Sequence, residues 1–165
     1  MHPFNDRSLR LVETLHPDLK VVLLAARAVA PFPFDIPDDG GHRTTERQRE
    51  LYMIGREIQR GVIVRTGRIV TNIDGVTKKS KHNESPSQAV DLYCNIKNKA
   101  DLAFNQNQLL ILAGVIIAVS NQLLLDGKIS HDVRCGCDWD MDGEAIRDQK
   151  LQDLAHYELK WVGAD

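Results

Sequence analysis

The sequence predicts an α+β domain, with a small and mainly antiparallel sheet flanked by helices. Three observations point there. Apolar residues recur near helical spacing between residues 8 and 30, and a long apolar run marks a buried helix between 106 and 125. Residues 89–96, 130–140 and 155–162 alternate in the manner of strands. The two kinds of segment are interleaved, and no linker rich in Gly, Ser or Pro divides the 165 residues. One domain is therefore expected over 1–165, with its core between 8 and 161 and no separate binding module.

Taken in order, Leu11, Leu15, Leu19, Val22, Leu23 and Ala26 give a helical stripe that Pro17 splits in two. His16-Pro17-Asp18 opens the second helix, because proline suits a first helical turn. "PFPFDIPDDGG" (31–41) reads as a loop or a short strand. Thr44 to Gly61 reads as a helix capped by Thr44 or Thr45, with Leu51, Ile54 and Ile58 as its stripe. "GVIVRTGRIVTNIDG" (61–75) reads as extended segments or a hairpin punctuated by glycine. "AVDLYCNI" (89–96) is a strand that carries Asp91. Gln106 to Leu125 is a core helix closed by Asp126-Gly127. "SHDVRCGCDWD" (130–140) puts Val133, Cys135 and Cys137 on one strand face. In "AHYELKWV" (155–162), His156, Glu158 and Lys160 share one face, and Tyr157, Leu159 and Trp161 the other.

Composition removes several function classes. A net charge of −2 makes no electrostatic case for nucleic-acid binding. The basic residues between Arg56 and Lys81 are mixed with apolar ones, as on a solvated face or a substrate-facing rim. "MHPFNDRSLR" shows no secretory signature. The longest apolar run, Leu109 to Val119, is short for a bilayer span and reads as a buried helix. Three cysteines, an odd number, argue against a disulfide framework and for a reducing compartment. Cys135-Gly-Cys137 is spaced too closely for a Cys-x-x-Cys knuckle and reads as buried strand cysteines. The expectation is a monomer made in the cytoplasm of the producing cell, for which a target outside needs a separate exit route.

Two arms of a site are visible in "KSKHNESPSQAVDLY" (79–93). A hydrolytic zinc site needs three protein ligands, usually imidazole or carboxylate, and one open position. His82 and Asp91 supply two if the Ser-Pro-Ser turn folds the chain back. His156 is the best third ligand, and His42, beside Arg43, is its rival. His2 lies at the chain end, His16 in a helix start and His131 in a loop after Gly127. Separately, "DWDMDG" (138–143) places Asp138, Asp140 and Asp142 at positions one, three and five of a calcium loop, with glycine at six. Position twelve is Gln149, next to Asp148. A weak calcium site and a plain carboxylate-rich turn both stay open.

Three separated motifs resemble those of the zinc D-Ala-D-Ala carboxypeptidase and L-alanyl-D-glutamate peptidase family. "SKHNESPSQAVD" (80–91) is similar to its Ser-x-His…Ala-x-Asp signature, and the form with "SPS" looks like the phage endolysin branch. "DLAHYEL" (153–159) looks like the closing motif, and "GHRTTERQ" (41–48) is similar to the Gly-x-Arg-Thr…Gln segment. The resemblance implies zinc held by His82, Asp91 and His156, with Asp153 as catalytic base and Arg43 facing the reacting centre. Glu158 reads as a surface carboxylate or one that hydrogen-bonds a ligand from behind, ahead of the alternative that it is the base, and Ser80 reads equally as such a hydrogen-bonding group or as a plain loop serine. The implied substrate is the peptidoglycan stem peptide, cut at L-Ala–D-Glu by a lysin released through a holin, or at D-Ala–D-Ala. Some phage members carry a calcium-responsive loop where Asp138–Gly143 stands. One departure from the compact motif is the longer His82–Asp91 spacing, where "ESPS" replaces the usual glycine.

Overall fold

The computed structural model describes residues 3–147 and 149–161; His2, Asp148 and Val162 lie outside them. The chain runs α1 (Asp6–Val12), α2 (Pro17–Val29), β1 (Phe34–Asp35), α3 (Thr45–Met53), β2 (Arg56–Gln59) and β3 (Val62–Arg65). It continues through β4 (Ala89–Asp91), β5 (Tyr93–Cys94), α4 (Gln106–Leu125), β6 (His131–Gly136) and β7 (Asp153–Trp161). The expected α+β class is observed. A three-stranded antiparallel sheet has the order β4-β7-β6, β1 pairs with β5, and β2 and β3 form a hairpin.

Local chemistry explains the helix starts. Asn5, His16, Thr44 and Asn105 each accept a backbone N–H of the first turn of α1, α2, α3 and α4 through a side-chain atom. Pro17 takes the first helical position, where its missing N–H has no intrahelical acceptor to lose. By length and composition α4, with a mean hydropathy of 2.0, is able to cross a bilayer. In this fold its Leu109, Leu112, Ala113 and Ile116 are buried instead, in one cluster with Leu19, Val22, Leu23 and Ala26 of α2. Val133, Tyr157 and Leu159 join that cluster from the sheet, whose strands β6 and β7 pack against α4. Burial of such side chains contributes about 1.5–3 kcal/mol each.

Three expectations change. The α3 helix stops at Met53 rather than Gly61, because Gly55 takes φ +73 and lies against the backbone of Arg68, 2.3 Å from where a Cβ would sit. Ile58, read as part of a helical stripe, is instead an exposed residue of β2 paired with Ile63. His131, read as a loop residue, begins β6 and is buried. Its Nδ1 lies 2.7 Å from Asp18 Oδ2, which also accepts the N–H groups of Ser130 and His131. With His16 as the α2 cap, this group ties the start of α2 to the start of β6.

An irregularity in the sheet sets the position of Asp153. Cys135 pairs with Tyr157, but the next residue, Gly136, pairs with Asp153, so β7 carries three extra residues there. A Cβ on Gly136 would stand 2.3 Å from the Asp153 carbonyl oxygen, and backbone cannot yield as a side-chain tip can. Gly136→Ala is expected to push the start of β7 outward and lower the melting temperature by several degrees, about 1–3 kcal/mol. Unchanged thermal melting would show that β7 tolerates the methyl group.

Candidate metal centre

The site is built where β4, β7 and the segment before β4 meet. Asp91 ends β4 and pairs in register with His156 on β7, so the two side chains share one face of the sheet. His82 comes from a single 3₁₀ turn, Lys81–Asn83, whose start is fixed reciprocally: Ser80 Oγ accepts the His82 N–H and Asn83 Oδ1 accepts the Ser80 N–H. The following "ESPS" segment closes on Lys81, whose carbonyl accepts the N–H of Gln88. Ser87 then exchanges backbone hydrogen bonds with Thr14 and His16. The longer His82–Asp91 spacing is thus taken up by a loop held against the connection between α1 and α2.

Three donor atoms converge. His82 Nε2 lies 3.3 Å from His156 Nδ1 and 3.3 Å from Asp91 Oδ1, and His156 Nδ1 lies 3.0 Å from Asp91 Oδ1. A tetrahedral ion bound at about 2.0–2.1 Å has ligand-to-ligand edges of about 3.3 Å. The far ring nitrogens are also engaged. His82 Nδ1 is 2.8 Å from the Gly41 carbonyl, and His156 Nε2 is 3.2 Å from Glu158 Oε2. A carbonyl or carboxylate behind each ring can hold an N–H there, so that the facing nitrogen is the one a cation would take. The donor set therefore fits zinc. His42 is exposed and takes no part in this group.

Glu158 is held from the other side by Arg134, whose Nε and Nη2 donate to its Oε1 at 2.9 and 2.6 Å. Arg134 Nη1 in turn donates to the Trp139 carbonyl, 3.0 Å away. Burial raises the Glu158 carboxyl, but its hydrogen bonds to His156 and Arg134 win and bring it down to about 2. Glu158 thus stands behind the imidazole, ionised and doubly engaged. Arg134 was missed in the sequence, although the alternation of β6 placed it on the face opposite Val133 and Cys135. The carbonyl of Gly41 gave no signal at all, since any residue supplies one.

Arg43 reaches the same group. Its Nη2 donates to Asp91 Oδ2, its Nε donates to the Asp39 carbonyl at 2.6 Å, and its N–H is bonded to the His82 carbonyl at 2.8 Å. Burial raises the Asp91 carboxyl, but the charges of His82 and Arg43 and the His156 hydrogen bond hold it well below the usual carboxylate range. Asp153, at the solvent-exposed head of β7, is shifted the opposite way: desolvation by surrounding atoms and the Asp91 charge raise it. A carboxylate with raised proton affinity beside a metal-ligand set is suited to accept and return a proton. Asp138, Asp140 and Asp142 also form a group, in which Asp138 accepts the N–H of Asp142 and of Gly143. Gln149 Oε1 is occupied by the Trp139 N–H at 2.8 Å.

Fold and site together define an α+β domain carrying a His–Asp–His group that could hold a metal ion, built at a three-stranded sheet. No family model matches the chain, and no curated protein matches it. Among solved structures, the chain is similar to the crystal structure of Serratia marcescens L-Ala D-Glu endopeptidase ChiX. The TM-score is 0.63 at 19% sequence identity, over 96% of this chain and 90% of that one. At this identity the likeness establishes a shared fold.

Proposed function

We propose that this chain is a zinc-dependent peptidoglycan peptidase that hydrolyses the stem peptide between L-Ala and D-Glu, in the setting of a phage lysin. The observation that carries the reading is the convergence of His82 Nε2, Asp91 Oδ1 and His156 Nδ1 within 3.0–3.3 Å, each imidazole backed by an acceptor. The shared fold with an L-Ala D-Glu endopeptidase supports it. Zinc held there supplies Lewis acidity toward the scissile carbonyl and lowers the pKa of water. Asp153 takes the proton of the attacking water at its carboxylate and passes it to the leaving amine. Arg43 is anchored through Nη2 and Nε, so its Nη1 keeps its hydrogens for a substrate oxygen, either the developing oxyanion or a carboxylate.

Purified peptidoglycan incubated with the zinc-loaded protein is expected to release new amino groups, and a chelator to stop this. Mass spectrometry of the fragments names the bond. D-Ala release would replace the L-Ala–D-Glu assignment with a D,D-carboxypeptidase or dipeptidase, and no release with zinc bound would leave a non-catalytic wall-binding module. The Asp138–Asp140–Asp142 loop we read as a weak calcium site, supported by the grouping of its carboxylates. Calorimetry of the zinc-loaded protein with no heat at millimolar calcium would reduce it to a turn.

The same geometry predicts a proton count. Burial lowers the His156 pKa, but the hydrogen bonds to Asp91 and Glu158 and the charges of Asp91 and Asp153 outweigh it and raise it to about 9. Below that pH the imidazole is protonated on both nitrogens, and a cation taking Nδ1 must expel a proton. Zinc titration at pH 7 is expected to release about one proton from this ring, with affinity rising about tenfold per pH unit up to pH 9. Calorimetry in two buffers of different ionisation enthalpy measures it; equal heats in both would contradict it.

A further inference from the structure

The chain leaves the site at Arg43 and returns to it at Ser80, and what lies between contributes nothing to the core: no residue of 44–79 belongs to the hydrophobic cluster. Both ends are fastened at the site itself. The Arg43 N–H is bonded to the His82 carbonyl, and Asn83 Nδ2 donates to the carbonyls of Arg43 and Thr44 at 2.9 and 3.3 Å. The excursion holds its own shape through Gln48, whose Nε2 donates to the Ile73 carbonyl at 2.9 Å, and Arg56, which stacks on Tyr52 and donates to the Thr71 carbonyl. A segment fastened to the rim at both ends, yet absent from the hydrophobic cluster, has its value in what it presents.

It presents cations. Residues 44–79 hold eight Lys and Arg against four Asp and Glu, a net +4, which leaves −6 for the rest of a chain whose total is −2. Arg49, Arg60, Arg65, Arg68, Lys78 and Lys79 are all exposed, and none of them has a carboxylate partner among the described residues. The β2–β3 hairpin arranges part of this set. Arg60 (φ 53) and Gly61 (φ 81) form its two-residue turn, and the register pairs Ile58 with Ile63 and Arg56 with Arg65 on one face. Ile58 and Ile63 are 62% and 41% exposed, so one side of the arm shows an apolar pair with arginine above and below it. Such a surface suits a polymer that combines apolar patches with carboxylates.

We propose that residues 44–79 form a binding arm for an anionic polymer, namely the peptidoglycan strand whose free stem-peptide carboxylates meet Arg60, Arg65 and Arg68. This deepens the peptidase reading and rests on it for the choice of polymer. Charges of this kind act through space and are screened by salt.

The test uses the full zinc-loaded chain and the triple variant Arg60→Glu/Arg65→Glu/Arg68→Glu, all surface changes outside the metal group. Cosedimentation with purified sacculi is read at low and high salt, alongside cleavage of a soluble stem peptide. The wild type is expected to bind sacculi about tenfold more tightly than the variant at low salt and to lose that advantage at high salt. Far-UV circular dichroism and thermal melting of the two proteins should coincide, which shows that the variant is folded, because exposed charges of this kind contribute little to stability. Equal sacculus binding by both proteins overturns the arm. So does binding to phosphatidylglycerol vesicles without binding to sacculi, which would make the arm a membrane contact. Failure of the peptidase reading looks different: the soluble peptide stays intact while arginine-dependent sacculus binding persists.

Discussion

Replacing Asp153 by alanine is expected to lower kcat on a soluble stem peptide by about 10²–10⁴-fold while the bound zinc stays at one per chain. The expectation follows from where the residue stands. Asp153 heads β7, three residues before His156, held at the bulge by the close approach of Gly136, and it donates nothing to the His–Asp–His group. Its raised proton affinity comes from desolvation and the nearby Asp91 charge, and removing its carboxylate leaves the proposed metal ligands in place. Glu158→Ala is the paired control. Because Glu158 backs His156, its loss should weaken zinc by about 10–100-fold, with turnover restored at excess zinc. If turnover collapses with zinc retained only in the Glu158 variant, the base is Glu158 and the assignment to Asp153 is wrong.

His82→Ala should remove metal binding itself. The residue is 1% exposed, and it is the member of the proposed ligand group brought in from outside the sheet. Two donors, Asp91 and His156, remain, and two protein ligands do not hold zinc against a chelator of ordinary strength. Metal analysis after dialysis is expected to fall from one zinc per chain to nearly none. Thermal melting should lose its response to added zinc, a response of about 2.7 kcal/mol in the wild type at a hundredfold excess over Kd. A variant that keeps stoichiometric zinc would place the metal elsewhere in the chain.

These two results bear on different parts of the structure, and the sequence was unequally informative about them. Helical spacing and the proline at 17 located α2, and a long apolar run closed by Asp126-Gly127 located α4, since proline and glycine act on the backbone within a few residues of themselves. Alternation located β6 and β7 for the same reason. The reading failed at α3, where Leu51, Ile54 and Ile58 imitate a helical stripe but the positive φ of Gly55 turns the chain into the hairpin. Periodicity reports which residues share a face; it does not report whether anything covers that face, and here Ile54 and Ile58 stay exposed.

The candidate site divides in the same way. By itself the sequence determined which residue types were available, the strand that carries Asp91 and the alternation that puts His156 and Glu158 on one face. Only the tertiary structure decided that His82, 74 residues from His156 along the chain, comes within 3.3 Å of it. It also decided that Gly41 and Glu158 take the far nitrogens of the two imidazoles, that Arg134 steadies Glu158, and that Arg43 sits on the outer oxygen of Asp91. The physical reason is range. Propensity and periodicity act over a few residues, whereas the ligand geometry depends on strand register and loop anchoring between segments far apart in sequence, which local composition does not encode.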